Sequence, residues 1–551
     1  MFEFGPIWNA SETVLANRVR NLGSFLMSRA RVDLYRRKLA SVLGYANDED
    51  FLLMCWSCDA LQSGRASEAR PYIFYPKEAV TEDLTSPYAV HRWRIETLIN
   101  ELFATPKPHS RAGERVRYLK CKEFGAMSLS MNALSKYENA YDGQVLKRIN
   151  VLQEMHRLIQ RQFDWQNGYI NKPQFYRAAF LYGGERSRAA FENKYECTIS
   201  DYIWACFALI AIFSTQPLVS KTLDLQGVNV SQKTLALVFS KISIDLEEAR
   251  SYTARIRAGY GHPSYKRSIL RQFPLIGISK NRIICPLLEL LAARMSSGIF
   301  YDVIGLGADI RNEISDRFEQ YCFDLIQIAL GGFAVERSWK YRPIGKKDID
   351  TPDIIVSDNE KVSVIVECKA TRMSYEARFS EDPIASAARG YGELVKGVFQ
   401  IWRFASHLRR GLVPGRERSK DISGMVLTLD TWLSMVEPMQ QNVLEQANAM
   451  ADEKDPSITF EDRIHVQFVP CNDLEFAYQT QSQNSLFEAI KGAIGKKYEG
   501  YLLSAVHREM FPNAVDVNAY PFGDRIVDLL PWWGELEVRR KHRKDGGASL
   551  G

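Results

Sequence analysis

Apolar residues recur at three- and four-residue intervals through residues 145–163 and 202–213, the period of a helix with one buried face. The same period runs through most of residues 1–270, which are expected to form one or more mainly helical domains. Loops are predicted at 107–113, where Pro and Gly cluster, and at Gly183-Gly184. The pattern changes over 271–308, a connecting segment in which 274–278 and 282–285 read as short strands across a Ser-Lys-Asn turn. A helix over 286–296 follows.

From residue 309 the pattern is that of an α/β unit. Ile310, Ile314, Phe318, Tyr321, Leu325 and Ile328 paint one apolar stripe on a helix that stops at Gly331-Gly332. Residues 333–341 read as a strand and 343–350 as a polar loop. The β-branched runs 353–356 and 362–368, with Ser357-Asp-Asn-Glu-Lys361 between them, predict a hairpin. A second long helix is expected over 384–410. Strands over 423–429 and 464–469 follow, separated by a helix over 432–449. Residues 471–551 form a helical extension ending in a basic tail, Arg539 to Lys544.

At 551 residues the chain exceeds what one core accommodates, so several domains are expected. The proportions of apolar (46%) and charged (25%) residues leave little room for long disorder. A net charge of +5 permits nucleic-acid binding without arguing for it. The N-terminus lacks a basic segment followed by an apolar run, and the longest apolar stretch, 203–213, is too short to cross a bilayer. Nine scattered cysteines suit reduced thiols. A cytoplasmic protein without a membrane anchor is therefore expected. The Cys55-Trp-Ser-Cys58 pair has the spacing of half a zinc site, but no second pair accompanies it, which favours a helix with two small core residues. Neither GxxxxGK[ST] nor GxSxG occurs, so P-loop and α/β-hydrolase chemistry find no foothold.

Candidate chemistry lies in the hairpin. Pro352-Asp353 opens one strand and Glu367-Cys368-Lys369 closes the next, 14 positions on. Alternation puts Glu367 and Lys369 on one face, and antiparallel pairing brings Asp353 beside them. Two carboxylates form a hard-oxygen site suited to Mg²⁺ or Mn²⁺, and a neighbouring lysine can orient or deprotonate a water. The competing reading is a solvated Glu367–Lys369 pair on an edge strand, with Asp353 capping a turn.

The order of helix, strand, PD strand, ExK strand, helix and strand over 309–470 resembles the PD-(D/E)XK nuclease superfamily, which includes restriction endonucleases and Holliday-junction resolvases. The resemblance implies a restriction-endonuclease-like αβββαβ core with Asp353 and Glu367 as metal-binding acids and Lys369 as catalytic lysine. It also implies a further acid on the first helix, for which Glu319 is the first choice and Glu313 the alternative. On the helix after the lysine, Arg389, Glu393, Lys396, Gln400, Arg403, His407 and Arg410 recur along one face. Lys396, Gln400, Arg403 and Arg410 are the candidates there for contact with a nucleic-acid backbone. Gln400 matches a site glutamine of RecB-type nucleases, although Phe404 stands where those carry tyrosine. Arg409-Arg410 through Arg416, Arg418 and Lys420 add a cationic loop after the helix.

The function these readings imply is metal-dependent hydrolysis of phosphodiester bonds, of DNA by resemblance, with an organisation resembling prokaryotic antiphage defence effectors. The N-terminal helical part is expected to bind a partner or to oligomerise. The alternatives are a non-catalytic nucleic-acid-binding or scaffolding protein on a degenerate nuclease fold, and an RNA-processing nuclease.

Overall fold

The computed structural model describes residues 28–108, 118–145, 151–259, 261–343, 347–433, 436–480, 482–513 and 518–535. The basic tail from Arg539 to Lys544 lies outside them. The protein is mixed α/β and divides into two compact units, one made of residues 1–154 and 208–291 and the other of 155–207 and 292–551. The breaks inferred from the sequence at 270/271, 308/309 and 470/471 do not coincide with this division. A linear reading groups neighbours along the chain, whereas 155–207 packs with segments more than a hundred residues downstream.

The first unit combines helices with a small sheet. Asn47 accepts from the Asp50 N–H at 3.0 Å and so caps the helix Asp48–Leu61. Trp56 in that helix is fully buried and donates from Nε1 to the Phe213 carbonyl at 2.8 Å. Cys55 and Cys58 are buried in the same helix, as core residues, and burial pushes both thiols up. The predicted hairpin is present as Leu275–Gly277 and Arg282–Ile284. Two further strands, Leu218–Ser220 and Ser243–Asp245, complete a four-stranded sheet inside a region read as helical. Each is three residues long, too short to impose an alternating pattern on the sequence.

The second unit includes α1 (Lys172–Tyr182) and α2 (Glu185–Tyr195), separated by the Gly183-Gly184 turn. Helix α3 (Ala308–Ala329) carries the predicted stripe, with Ile310, Ile314, Phe318, Tyr321 and Leu325 buried. Strands β1 (Ala334–Arg337), β2 (Ile354–Asp358) and β3 (Lys361–Lys369) follow, then α4 (Ala388–Arg409), β4 (Glu417–Thr428), α5 (Glu437–Lys454), β5 (Val466–Pro470) and α6 (Cys471–Gln479). The strands form one mixed sheet in the order β5-β4-β3-β2-β1. β3 runs antiparallel to β2 and parallel to β4 through the α4 crossover. Its residues from Val362 to Cys368 are all buried, as a central strand covered on both faces requires. On one face Ile326 and Ala329 of α3 meet Val356, Val364, Val366 and Met425. On the other, Leu394, Val398 and Ile401 of α4 join a core with Ile365 and Val426.

Three local expectations change. The strand predicted over 333–341 ends at Arg337, and Lys340–Tyr341 pairs separately with Ile349–Asp350. The hairpin turn is tighter than five residues: Asp358 pairs with Lys361, and Asn359 and Glu360 between them take φ of 45° and 68°. The long helix over 384–410 is interrupted at Ala387, after a separate turn, Pro383–Ser386, whose first carboxylate, Asp382, accepts from the Ala385 N–H. Among the described residues no single helix is long and apolar enough to cross a membrane; the pair Glu185–Tyr195 and Ile199–Thr215, bent by 64°, reaches that length only together.

Candidate active site

The parallel end of the sheet gathers the acids. Val426 of β4 stands beside Glu367 and Thr428 beside Lys369, so Glu367 and Lys369 lie where β3 and β4 both terminate. Ile354 pairs with Val366, which sets Asp353, one residue earlier, next to the same end of β3. Asp353 is fastened there by its own groups. Its Oδ2 accepts from the Cys368 N–H at 2.7 Å, and its carbonyl accepts from the Ser338 N–H at 2.9 Å. Lys369 Nζ donates to Glu367 Oε1 at 2.7 Å. With side-chain exposures of 13% for Lys369 and 2% for Glu367, this is no solvated pair on an edge strand.

Electrostatics joins α3 to the cluster. Burial, with the charges of Asp353, Asp316 and Glu367, pushes the Glu319 carboxyl up to about 7. Burial also pushes Glu367 up to about 7, with Lys369 opposing and Asp353 adding. Asp353 is raised by burial too, against the Cys368 N–H and the charges of Lys369 and Arg337. For Lys369, burial acts downward, but the charge and hydrogen bond of Glu367 and the charge of Asp353 outweigh it and hold the ammonium above its ordinary value. Lys369 is thus hydrogen-bonded to Glu367 and drawn to Asp353 in a poorly hydrated place, with Glu319 raised by both acids.

Glu313, the alternative on α3, is engaged elsewhere. Its carboxylate accepts from the Arg186 N–H at 3.0 Å, the Ser187 N–H at 2.8 Å and the Ser187 hydroxyl at 2.7 Å, the first turn of α2. An acid at a helix N-terminus satisfies free N–H groups and the helix dipole. Of the two acids considered on α3, Glu319 is the one whose carboxyl is raised by the charges of Asp353 and Glu367.

The donor set fits a hard divalent cation in type: all carboxylate oxygens, one of which, Glu367 Oε2, is buried without a hydrogen-bond partner. Among the described residues no three or more His, Cys, Asp or Glu side chains form a ready cage for an ion. Glu367 Oε1 and Asp353 Oδ2 are turned to Lys369 and to the Cys368 N–H instead.

The helix face is only partly the one its spacing suggested. Lys396 is exposed, and Arg403 is half-buried with its guanidinium 5.7 Å from the Phe399 ring centre. Gln400 is half-buried, its Oε1 without a partner. Arg410 is exposed just beyond the helix and donates to Ser457 Oγ at 2.6 Å. His407 does not belong to an exposed face: it is buried and shares a 2.6 Å hydrogen bond with the Tyr341 hydroxyl. In the cationic loop Arg409 and Arg418 both pair with Asp462, and Arg416 pairs with Glu336, while Lys420 is exposed.

Gly397 is a site residue that the pattern did not reveal. A Cβ there would stand 3.2 Å from Lys369 Cε and 3.4 Å from Glu367 Cγ, so the missing side chain is what lets α4 close over the pair. In the sequence it reads only as a helix-weakening glycine. Comparison with family models, with curated proteins and with solved structures gives no match for this chain.

Proposed function

We propose that the chain is a divalent-metal-dependent nuclease that hydrolyses phosphodiester bonds of DNA, with residues 309–470 as a restriction-endonuclease-like core. One observation carries this reading: Asp353 and Glu367 sit beside Lys369, whose Nζ is 2.7 Å from Glu367 Oε1, at the shared end of two parallel strands, and the charges of both acids raise the Glu319 carboxyl. A purely structural role gives no reason to gather these acids near one cation. Glu319, Asp353 and Glu367 would hold Mg²⁺ or Mn²⁺, which when bound polarises the phosphate and lowers the pKa of water. Lys369 orients the attacking water and offsets charge developing on the phosphate. Water supplies the new P–O bond, one ester P–O bond breaks, and the proton released is balanced by the one the leaving oxygen takes up.

The test is cleavage of duplex DNA, single-stranded DNA and RNA by the purified chain in Mg²⁺, Mn²⁺, Ca²⁺ and EDTA. DNA cleavage is expected in Mg²⁺ or Mn²⁺, with little turnover in Ca²⁺ and none in EDTA. Lys369→Ala is expected to lower cleavage by about 10²–10³-fold, the span typical of removing one electrostatic stabiliser, while retaining metal affinity. Asp353→Ala and Glu367→Ala are expected to lose both. Undiminished cleavage by Lys369→Ala, or full activity in EDTA, overturns the assignment. Cleavage of RNA alone favours the RNA-processing reading, and binding without cleavage the scaffolding one.

A further inference from the structure

A site with three carboxylates and one lysine repels the polyanion it is proposed to cut, so exposed cations at its rim decide how a strand is seated. Arg337 is such a cation, and no feature of the α4 face points to it. It ends β1 and pairs with Ile354 of β2. The next residue, Ser338, donates its N–H to the Asp353 carbonyl at 2.9 Å, so the Arg337 backbone is tied to the strand that carries the first acid. Its side chain is exposed. The guanidinium stands 5.9 Å from the Phe323 ring centre and donates from one amino group to Gln320 Oε1. Both partners lie on α3, as does Glu319, and Gln320 is next to Glu319 in sequence.

The choice of partner matters. Arg409, Arg416, Arg418 and Arg342 of this unit are each paired with a carboxylate. Arg337 is steadied by a neutral amide, which occupies one of five N–H donors and leaves the charge uncancelled. A guanidinium fixed in place, exposed, and close to a metal-type acid suits a phosphate, whose oxygens its planar fork matches two at a time.

We propose that Arg337 is a substrate-binding residue that grips a phosphate of the nucleic-acid strand beside the one cleaved. Resting on the nuclease reading, it seats the strand from the α3 side, while Lys396, next to Gly397, supplies a cation from the α4 side. Gln320 and Phe323 hold the guanidinium in its binding posture before the strand arrives, which limits the side-chain ordering that binding would otherwise cost.

The experiment titrates a short fluorescein-labelled DNA duplex onto the full chain in Ca²⁺ across a KCl series, and measures KM and kcat in Mg²⁺. Arg337→Gln is expected to weaken binding about tenfold, as loss of a charge-assisted contact does. It should also flatten the slope of log K against log salt by about one unit and raise KM more than it lowers kcat. Arg337→Lys keeps the charge without the fork, so it should restore the slope while recovering only part of the affinity. A wild type that cleaves, with an Arg337→Gln variant of unchanged slope and KM, overturns this inference and leaves the nuclease reading standing. Equal losses in the Gln and Lys variants, with matching falls in melting temperature, would assign Arg337 to the fold and also overturn it. A wild type that neither binds nor cleaves removes the nuclease reading and this inference together.

Discussion

Asp430 and Glu367 are both buried carboxylates near the end of the same sheet, yet their surroundings differ. Asp430 stands between Arg372 and Arg378, each at 2.7 Å, and both arginines are nearly as buried as the acid. Burial would raise its carboxyl, but the two guanidinium charges and their hydrogen bonds hold it below the ordinary range. Arg372 also donates to the Ser297 carbonyl at 3.0 Å, so this group clamps the loops after β3 and β4 to a distant segment of the unit. Glu367 has one lysine and an oxygen without a partner. Asp430, paired directly with two guanidinium groups, and Glu367, whose one lysine is also drawn to Asp353, are opposite solutions. The first satisfies its buried charges within the chain, while the second leaves a deficit of positive charge that a ligand can fill.

The largest effect expected from this contrast concerns removal of one charge from each cluster. Asp430→Asn leaves buried Arg372 without its counter-charge and Arg378 with only Asp164, 3.7 Å away, and should destabilise the fold by about 3–5 kcal/mol. Glu367→Gln removes one of the crowded acids and should leave stability near wild type in metal-free buffer, while abolishing cleavage. Chemical denaturation of the two variants compares them directly. Equal destabilisation would mean that Glu367 and Lys369 are a structural pair, like the one at Asp430.

Two of the three glycines of α4, Gly390 and Gly397, sharpen the same comparison at a smaller scale. A Cβ on Gly390 would lie 2.2 Å from the Trp432 ring, whose Nε1 donates to the Thr371 carbonyl at 2.9 Å. Neither neighbour can retreat easily, so Gly390→Ala should cost about 1–3 kcal/mol through overpacking. At Gly397 the nearest atom is Cε of Lys369, the far part of a flexible side chain. It can move, and alanine gains helix propensity of about 1 kcal/mol, so Gly397→Ala should keep its melting temperature near wild type. The displaced ammonium should nonetheless lower cleavage. A large drop in melting temperature for Gly397→Ala, with cleavage intact, would show that the glycine serves packing alone.

What was readable in advance divides along the same line. The apolar stripe of α3, the hairpin and the positions of Asp353, Glu367 and Lys369 follow from local periodicity, which a chain displays in its own sequence. The choice of Glu319 over Glu313 does not, because what removes Glu313 is its contact with Arg186 and Ser187, more than a hundred residues earlier. The pairing of Arg372 with Asp430 spans 58 positions and leaves no periodic trace. Gly397 and Arg337 were missed for a related reason: an absent side chain and a single exposed cation acquire meaning only from what the fold sets beside them. Conversely, the regular spacing that put His407 on a cationic face says nothing of Tyr341, which binds it from 66 positions away.

The smallest effect expected is also the one that separates the clusters by sign. Glu319 ordinarily titrates near 4.5 and is pushed up to about 7 in the fold, chiefly by burial and then by Asp353, Asp316 and Glu367. Between those values the unfolded chain has released this proton and the folded chain retains it, so stability falls as pH rises through the window. Asp430 behaves oppositely: its folded value lies below the unfolded one, so its contribution is present above the unfolded pKa and is lost as pH falls through the folded one. In metal-free buffer, Glu319→Gln should therefore be more stable than wild type at pH 8 and equal to it near pH 4. The gain should be about 1 kcal/mol, because a partly exposed group is screened by solvent. Melting curves of both proteins from pH 4 to 8 in EDTA measure it. Added Mg²⁺ should reverse the order at pH 8, since a bound cation stabilises the wild-type cluster by mass action and the amide holds it less well. Parallel pH curves for wild type and Glu319→Gln would mean that Glu319 does not share the charge deficit at Asp353 and Glu367, and would confine the cluster to β2 and β3.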